Sequence, residues 1–248
     1  MTAATLDRGE GEVLVCCERV ARSFGSGAAA VVAVHDVTCQ VRAGERIAIS
    51  GPSGSGKSTL LHLLAGLDQP TAGMVSWPAL GDRAELLPRR VGVMFQGQSL
   101  LAALDVTENV ALPLLLSGVP EAAATMAAQE ALARLHLEEL AAKLPEELSG
   151  GQAQRVAAAR VLASRPRLIL ADEPTGQLDH ATGAEVVRAL LQAAEALDAA
   201  LVVTTHDPLV AAALPQRWAM ADGALSQAGE ARSHQGRDED QEAPSCSA

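Results

Sequence analysis

The chain has 248 residues, of which 48% are hydrophobic and 20% are charged, and its formal net charge is −11. This length accommodates one large domain or two small ones with a full hydrophobic core. The acidic charge and the content of two Phe, two Trp and no Tyr disfavour a nucleic-acid-binding surface, and no apolar run reaches the ~20 residues that cross a bilayer.

The chain begins with a polar segment that is followed by β-type sequence. Residues 1–11 are mainly small, polar or charged, and we expect a flexible tail there. They contain no basic segment followed by an apolar stretch, so we expect no signal peptide and a cytosolic chain. Runs rich in branched apolar residues at 13–20, 31–41 and 46–50 then predict three strands.

A complete phosphate-binding loop follows the third of these runs, and it reads Gly51-Pro52-Ser53-Gly54-Ser55-Gly56-Lys57-Ser58-Thr59. Its glycines permit the turn that aims backbone N–H groups at phosphate oxygens, and the start of the next helix adds a partial positive charge. The only other lysine of the chain is Lys143, so a lysine in this loop is not background. We predict nucleotide binding here, with Lys57 at the terminal phosphates and the Ser58 hydroxyl as a ligand of Mg²⁺.

A long helical segment separates this loop from the next β-type sequence. Residues 91–95 have the apolar pattern of a buried strand, and the sequence turns helical from about residue 98, with an alanine-rich stretch at 119–137. We therefore predict a helical subdomain over about residues 98–165, inserted into an α/β core.

A second glycine-rich helix opening follows, and it reads Leu148-Ser149-Gly150-Gly151-Gln152. The free N–H groups and the dipole of a helix that opens there suit a γ-phosphate. Ser149 is also a good N-cap in its own right, so an ordinary capped surface helix is the alternative. One nucleotide site needs one phosphate loop, and the second motif therefore suggests the nucleotide of another subunit.

Two carboxylates, Asp172 and Glu173, end the apolar run at residues 168–171. They are predicted at the carboxyl edge of a parallel sheet, where open α/β sheets bind ligands. Asp172 suits Mg²⁺ bound through water, and Glu173 suits polarisation of the attacking water. Two ordinary solvated carboxylates at the end of a strand are the alternative.

The last predicted elements complete a layered α/β architecture. A helical pattern of apolar residues between positions 186 and 197 lies between strands at 168–171 and 201–205. Short strands separated by helices indicate a mostly parallel sheet covered on both faces. Residues 228–248 are polar and partly acidic, and we predict a disordered acidic tail there, so that the domain spans residues 12–227.

Together these segments resemble the ATPase subunit of ATP-binding-cassette (ABC) transporters over about residues 13–226. Five segments occur in the order of that family: the phosphate loop, Gln96, residues 148–152, the pair Asp172-Glu173, and His206. The resemblance implies a P-loop NTPase core of the α/β class, an N-terminal antiparallel β subdomain and an inserted helical subdomain. It also implies ATP and Mg²⁺ as ligands and a head-to-tail dimer, in which each ATP lies between one phosphate loop and the partner's signature, the segment at 148–152.

Further roles follow from the resemblance, position by position. Phe24 lies where the family has an aromatic residue that stacks on adenine, and a core residue is its alternative. Gln96 resembles the glutamine that approaches Mg²⁺ and the attacking water and that begins the segment facing the membrane partner; a polar residue ending a strand is the alternative. His206 resembles the histidine that contacts the γ-phosphate, although a His-Asp pair alone is more typical of a helix start. Asp179 resembles a residue of the loop that crosses the dimer interface beside the catalytic Glu173.

The predicted site thus contains three groups of residues. Catalysis is assigned to Glu173, His206, Gln96 and Lys57. Nucleotide contacts are assigned to Phe24, residues 51–59, Ser149, Gly150, Gly151, Gln152 and Asp179, and Mg²⁺ ligation to Ser58, Gln96 and Asp172.

The subgroup within the family is less well defined. Residues 64–73 and 172–176 look like the group that includes the lipoprotein-release, macrolide-export and cell-division ATPases, whose membrane partners have few helices and a large extracytoplasmic domain. Gln177, Ala153 and the stretch at 75–90 depart from the pattern of that group. These departures leave the substrate open.

The sequence therefore predicts an ATPase that works as a homodimer, or with a closely similar subunit. It would drive a separate integral-membrane permease from the cytoplasmic face of the cell membrane. The alternative is a regulatory ATPase of the same type, whose membrane partner transmits a mechanical signal and transports nothing. A nucleic-acid-linked ABC ATPase is disfavoured, because the sequence has neither a long coiled-coil insertion nor tandem ATPase domains and because the chain is acidic.

Overall fold

The computed structural model describes residues 11–25, 27, 30–97, 99–176 and 178–227. The strands are β1 (Val13–Phe24), β2 (Val31–Arg42), β3 (Arg46–Ser50), β4 (Ala72–Ser76), β5 (Val91–Met94), β6 (Leu168–Asp172), β7 (Ala200–Thr205), β8 (Gln216–Ala221) and β9 (Ala224–Gln227). The helices are α1 (Lys57–Leu64), α2 (Val106–Leu116), α3 (Glu121–Arg134), α4 (Gly150–Ala163), α5 (His180–Ala196) and α6 (Pro208–Ala212). The predicted tails at 1–11 and 228–248 lie outside the described residues except for Gly11, and the domain limits stay a prediction.

An antiparallel sheet with the strand order β2-β1-β4 forms the N-terminal part of the fold. Its buried side chains, among them Val20 and Val34, join one apolar cluster with Leu60 and Leu61 of α1. Burial of one such side chain contributes about 1.5–3 kcal/mol to folding. The antiparallel order of these three strands confirms the predicted N-terminal β subdomain.

The central sheet has the order β5-β6-β7-β3-β8-β9, and all its neighbouring strands are parallel except the β8-β9 hairpin. Side chains on β6 and β7 are buried along the whole of each strand, as expected for parallel strands that are covered on both faces. Because parallel strands bring their carboxyl ends to one edge, the segments that follow β3, β6 and β7 meet there. The prediction of a mostly parallel sheet is confirmed.

Two apolar clusters lie on opposite faces of this sheet. On β3, Ile47 and Ile49 belong to the cluster that contains α1, whereas Ala48 belongs to the cluster formed with α2, α3, α4 and α5. This alternation follows from the two-residue period of a strand. The central sheet is thereby fixed between two packed layers, which makes its carboxyl edge a rigid support for a site.

The helical block consists of α2, α3 and α4, inserted between β5 and β6. Asp105 caps α2 by accepting the N–H of Glu108, and the Glu108 side chain accepts the N–H of Asp105 in return. Fully buried Asn109 donates to the carbonyl oxygen of Leu101 and accepts the N–H of the same residue. These bonds tie the segment that leaves β5 to the first helix of the block.

The sequence patterns missed the strands β4, β8 and β9 and the short helix α6. β4 has no buried residue and β9 is half-buried at most, so neither strand carries a continuous apolar run. β8 buries only alternate side chains, Trp218 and Met220, and the residues between them are exposed. Among the residues that the structure describes, no helix is both long and apolar enough to span a membrane.

Candidate functional site

Residues 51–56 form a tight loop between β3 and α1, and its shape requires glycine. Gly54 and Gly56 have φ angles of 78° and 100°, in the left-handed region that disfavours side chains. A Cβ atom on Gly51 would lie 2.1 Å from the carbonyl oxygen of Met220, and one on Gly56 would lie 2.1 Å from that of Ala33. The loop therefore packs closely against the backbones of β8 and β2.

Lys57, the first residue of α1, is only 6% exposed. Its ammonium group donates to the carbonyl oxygens of Gly51, at 2.9 Å, and Pro52, at 3.0 Å. Its Nζ also lies 3.5 Å from Oε1 of Glu173. Because an unpaired buried charge is costly, these partners hold the lysine inside the loop and beside the carboxylate that follows β6.

The two carboxylates at the end of β6 are buried, since Asp172 is 4% and Glu173 is 8% exposed. Oδ1 of Asp172 accepts hydrogen bonds from Oγ of Ser58, at 3.0 Å, and from Oγ1 of Thr204, at 2.6 Å. The alternative of two ordinary solvated carboxylates is therefore wrong. The parallel register of β6 and β7, which sets Asp172 opposite Thr204, produces this arrangement.

Glu173 follows the strand with a φ of 44°, which is uncommon for a residue with a side chain. Its Oε2 lies 2.8 Å from Nδ1 of His206, and its Oε1 faces Lys57. The His206 ring is 62% exposed. The segments after β3, β6 and β7 thus bring Lys57, Glu173 and His206 together, with Glu173 between the two basic groups.

The oxygen atoms beside the loop fit Mg²⁺ that is bound together with a phosphate. Ser58 and Asp172 offer hydroxyl and carboxylate oxygens, the type of ligand that Mg²⁺ prefers. Within the described ranges, no group of three or more His, Cys, Asp or Glu residues is placed to hold a metal ion. Oγ of Ser55 is buried without a hydrogen-bond partner among these residues, so the loop has a further polar group for a phosphate.

The second glycine motif forms the start of α4. Oγ of Ser149 accepts the N–H of Gln152, and Oε1 of Gln152 accepts the N–H of Ser149. A Cβ atom on Gly151 would lie 2.2 Å from Cγ2 of Thr182, so α4 packs against the start of α5 at this point. The capped helix of the alternative interpretation is therefore present. Ser149 and Gly150 are exposed. Their contact with a nucleotide stays a prediction.

Asp179 caps α5 directly beside that motif. Its Oδ1 accepts the N–H groups of Ala181 and Thr182, both at 3.0 Å, and its Oδ2 accepts the Thr182 hydroxyl at 2.7 Å. The hydrogen bond from the Thr182 side chain, together with those from the backbone, holds the pKa of Asp179 below its usual value. The starts of α4 and α5 therefore form one surface, which carries both predicted interface segments.

Phe24 and Gln96 lie outside the carboxylate cluster. Phe24 is 44% exposed, so the alternative that it is a core residue is wrong, and its stacking on adenine stays a prediction. The guanidinium of Arg22 lies 4.5 Å from the centre of the Phe24 ring and donates to Asp68 at 2.8 Å. Gln96 is exposed in the bend after β5, and within the described part of the chain it makes no hydrogen bond to Asp172 or to the residues around it.

Thr204 is the residue of this site that the sequence reasoning missed. It lies in a run of apolar residues on β7 and is fully buried. A buried hydroxyl group needs a hydrogen-bond partner. The threonine pair at the end of the apolar strand β7 could therefore have indicated a polar contact there. Arg22 was also missed, because nothing in its local sequence indicates a contact with Asp68.

Several known proteins are similar to this chain in sequence and in fold. The model of the family described as ABC transporter matches residues 34–176. The lipoprotein-releasing system ATP-binding protein LolD of Legionella pneumophila (strain Paris) is 38% identical over 221 residues, which cover 86% of this chain and 97% of the relative. That of Chromohalobacter salexigens is 40% identical over 223 residues, with 87% and 94% covered. A solved dimeric ATP-binding cassette in a post-hydrolysis state, bound to ADP and Pi, superimposes with a TM-score of 0.76 at 35% identity, covering 86% of this chain and 98% of that one.

Proposed function

The chain belongs to the ABC transporter family and is an ATPase, and we propose that it drives a separate membrane permease as a dimer that closes head to tail around two ATP molecules. The observation that carries this proposal is the cluster of Lys57, Ser58, Asp172, Glu173 and His206 around a phosphate loop. The second glycine motif, whose Ser149 and Gly150 are exposed, lies at the start of α4 on the same chain. This division fits a site that two chains complete.

Phosphoryl transfer needs mainly positioning of the reactants and neutralisation of charge. Lys57 binds the terminal phosphates, and Ser58 and Asp172 hold Mg²⁺, which when bound neutralises charge on those phosphates. Glu173 accepts a proton from the attacking water. Its contacts with Lys57 and His206 orient the carboxylate at the end of β6. Gln96 approaches the same water, and His206 contacts the γ-phosphate.

The glutamine variant Glu173→Gln tests the assigned base. The variant keeps the size of the side chain and the hydrogen bond to His206, but it cannot accept the proton. Because a general base contributes about 10²–10⁴-fold, we expect ATP hydrolysis to fall by about that factor, while ATP binding persists and the closed dimer accumulates. Turnover is measured by phosphate release and dimerisation by light scattering, with the exposed Glu185→Gln as control. Normal turnover of Glu173→Gln would contradict the assignment.

The dimer is proposed from the position of the signature. Ser149 and Gly150 are exposed at the start of a helix, where the N–H groups that the Ser149–Gln152 cap does not use, together with the helix dipole, suit a phosphate. A cavity of about 590 Å³, lined by Leu178, Asp179 and Leu209 among others, opens beside the same surface. The known structure of a dimeric cassette bound to ADP and Pi supports the arrangement.

Mixed dimers test whether each ATP contacts two chains. The variants Lys57→Ala and Ser149→Arg should each be inactive alone. In an equimolar mixture, half of the dimers are mixed and each holds one complete site, so up to about a quarter of the sites are restored. A mixture of Lys57→Ala with the Lys57→Ala/Ser149→Arg double variant is the control without a complete site. If the first mixture stays as inactive as this control, the head-to-tail dimer is wrong.

A groove next to Gln96 is proposed to receive the permease. Its volume is about 330 Å³, and its lining includes Leu87, Phe95, Leu116 and Arg160. Leu116 is 79% exposed, and Leu87 and Phe95 are also exposed. Apolar side chains exposed together commonly mark a protein interface. The groove lies between the central sheet and the helical block, so a bound segment would contact both.

The variant Leu116→Glu tests this surface in the full assembly at the cytoplasmic face of the membrane. It should abolish copurification with a membrane subunit that has few helices and a large extracytoplasmic domain, and it should leave the ATPase activity of the isolated chain intact. Met126→Glu is the matched control, because Met126 is exposed on α3 and does not line the groove. Retention of the membrane subunit by Leu116→Glu would contradict the assigned docking face.

The relatives named as ATP-binding proteins of lipoprotein-releasing systems support lipid-modified proteins as the cargo of this system. Release of a lipoprotein from vesicles that contain the copurified membrane subunit, dependent on ATP, is the expected result. ATP hydrolysis in such vesicles without release of any cargo would favour a membrane partner that transmits a mechanical signal.

A further inference from the structure

Thr204 bonds to both carboxylate residues of the site, although the proposed reaction gives it no role. Its hydroxyl donates to Oδ1 of Asp172 at 2.6 Å and accepts the N–H of Glu173 at 3.0 Å. The residue is fully buried, so these bonds do not compete with solvent. One side chain therefore touches the metal-binding residue and the backbone of the assigned base.

The bond to Asp172 restrains the rotation of its carboxylate. The terminal torsion of an Asp side chain is broad, so neighbouring donors must determine its orientation. Oδ1 accepts both from Thr204 and from Ser58, at 3.0 Å. Because the Thr204 donor comes from a buried strand, it fixes the carboxylate relative to the Ser58 hydroxyl.

The bond to Glu173 anchors a turn with unfavourable backbone geometry. Glu173 has a φ of 44°, which costs energy for a residue with a Cβ atom. Its N–H group lies 3.0 Å from Oγ1 and 3.2 Å from the carbonyl oxygen of Thr204. Thr204 thus supplies both acceptors of the N–H group that begins this turn.

The hydroxyl group of the neighbouring Thr205 has a different hydrogen-bond partner. Its hydroxyl oxygen accepts the N–H of Asp207 at 3.0 Å, so it stabilises the segment that follows β7. The contacts with Asp172 and Glu173 therefore belong to Thr204 and are not a general property of hydroxyl groups on this strand.

We propose that Thr204 is a positioning residue, whose hydroxyl sets the Asp172 carboxylate for Mg²⁺ and thereby supports the Mg²⁺-dependent part of nucleotide affinity. The inference rests on the proposed ATP and Mg²⁺ site. A hydroxyl that only satisfies burial would affect the stability of the fold and would not distinguish nucleotide with Mg²⁺ from nucleotide without it.

Calorimetric titration of ADP, in Mg²⁺ and in EDTA, separates these roles without using activity. The variant Thr204→Val keeps the shape of the side chain and removes the hydroxyl. The ratio of the ADP affinity in Mg²⁺ to that in EDTA should fall towards one, by at most roughly ten- to a hundredfold, the full effect of losing a hydrogen bond to a charged group. The affinity in EDTA should stay near that of the unmodified chain. Thr204→Ser should restore the ratio.

Thr107→Val is the matched control, because its hydroxyl donates to the carbonyl oxygen of Ala141 in the helical block; it should leave the ratio unchanged. If Thr204→Val leaves this ratio unchanged, whether or not both affinities fall equally, the inference is overturned. If Thr204→Val does not fold, the smaller Thr204→Ala carries the same expectation. An unmodified chain whose ADP affinity is the same in both buffers would contradict the proposed Mg²⁺ site itself.

Discussion

The two glycine-rich helix openings of this chain are built in different ways. At residues 51–59 two glycines are enclosed by other strands, since a Cβ atom on Gly51 or Gly56 would lie 2.1 Å from a backbone carbonyl oxygen. At residues 148–152 the side-chain hydrogen bonds close within the first turn of α4, between Ser149 and Gln152. The first motif is a loop enclosed by the fold, and the second is a helix end on the surface.

The neighbours of the two motifs differ in the same way. The first motif lies beside two buried carboxylates and a histidine, the residues to which the proposed function assigns metal binding and catalysis. The second motif lies beside the start of another helix, where Leu178 and Thr182 face its glycines. A similar local sequence can therefore form an enclosed loop in one place and a capped helix end in another, and only the surrounding structure separates them.

Replacing Gly56 by alanine should have the largest effect and tests the enclosed motif. Left-handed backbone geometry costs roughly 1–2 kcal/mol and overpacking costs about 1–3 kcal/mol, and the Ala33 carbonyl oxygen at 2.1 Å is backbone that cannot easily move. We expect a loss of about 2–5 kcal/mol in the free energy of unfolding and loss of nucleotide binding. Denaturant titration and ADP calorimetry measure the two effects.

Gly54→Ala is the matched control for this prediction. Gly54 also has a positive φ, of 78°, but a Cβ atom there meets nothing within 4 Å. Only the backbone cost of roughly 1–2 kcal/mol should remain. Equal losses in the two variants would show that the enclosure by β2 and β8 contributes nothing.

Gly151→Ala should have the next largest effect and tests the packing behind the exposed motif. The added methyl group would lie 2.2 Å from Cγ2 of Thr182, so we expect a loss of about 1–3 kcal/mol in the free energy of unfolding. In the double variant Gly151→Ala/Thr182→Ser the clashing methyl group is absent, and the hydroxyl that donates to Asp179 is kept. The double variant should therefore recover most of the loss in a denaturant titration. An additive loss would contradict a direct contact between α4 and α5.

Ser149→Ala sharpens the comparison by separating the capping of α4 from nucleotide contact. Loss of an N-cap costs about 1 kcal/mol, whichever function the motif has. Hydrolysis should fall by more than ATP affinity, because the affinity depends mainly on the enclosed loop of the same chain. Asp105→Ala is the control, because it removes the matching cap of α2. If both variants lose stability alone and hydrolyse ATP alike, the exposed motif is only a capped helix.

The comparison also shows what the sequence could predict. The phosphate loop and the Asp172-Glu173 pair were predictable, because their residues are adjacent in the chain and follow apolar runs. The bond between Thr204 and Asp172 was not, because the two residues are joined only by the parallel register of β6 and β7. The contact of Gly151 with Thr182 is likewise tertiary, and a sequence pattern shows a glycine there without its neighbour.

The smallest expected effect concerns the cap of α5, which borders the exposed motif. Hydrogen bonds from Thr182 and Ala181 hold the pKa of Asp179 below its usual value, so the ionised carboxylate stabilises the folded state above the unfolded pKa of about 3.9. This contribution is lost as the pH falls through the lower pKa of the folded state. Asp179→Asn keeps an acceptor oxygen without the charge, so the unmodified chain should melt at a slightly higher temperature at pH 7, and the difference should shrink below about pH 4. Thermal unfolding of both proteins across this range measures it. A difference that does not change with pH would mean that the charge of Asp179 does not stabilise this helix start, and that the surface beside the second motif depends on packing alone.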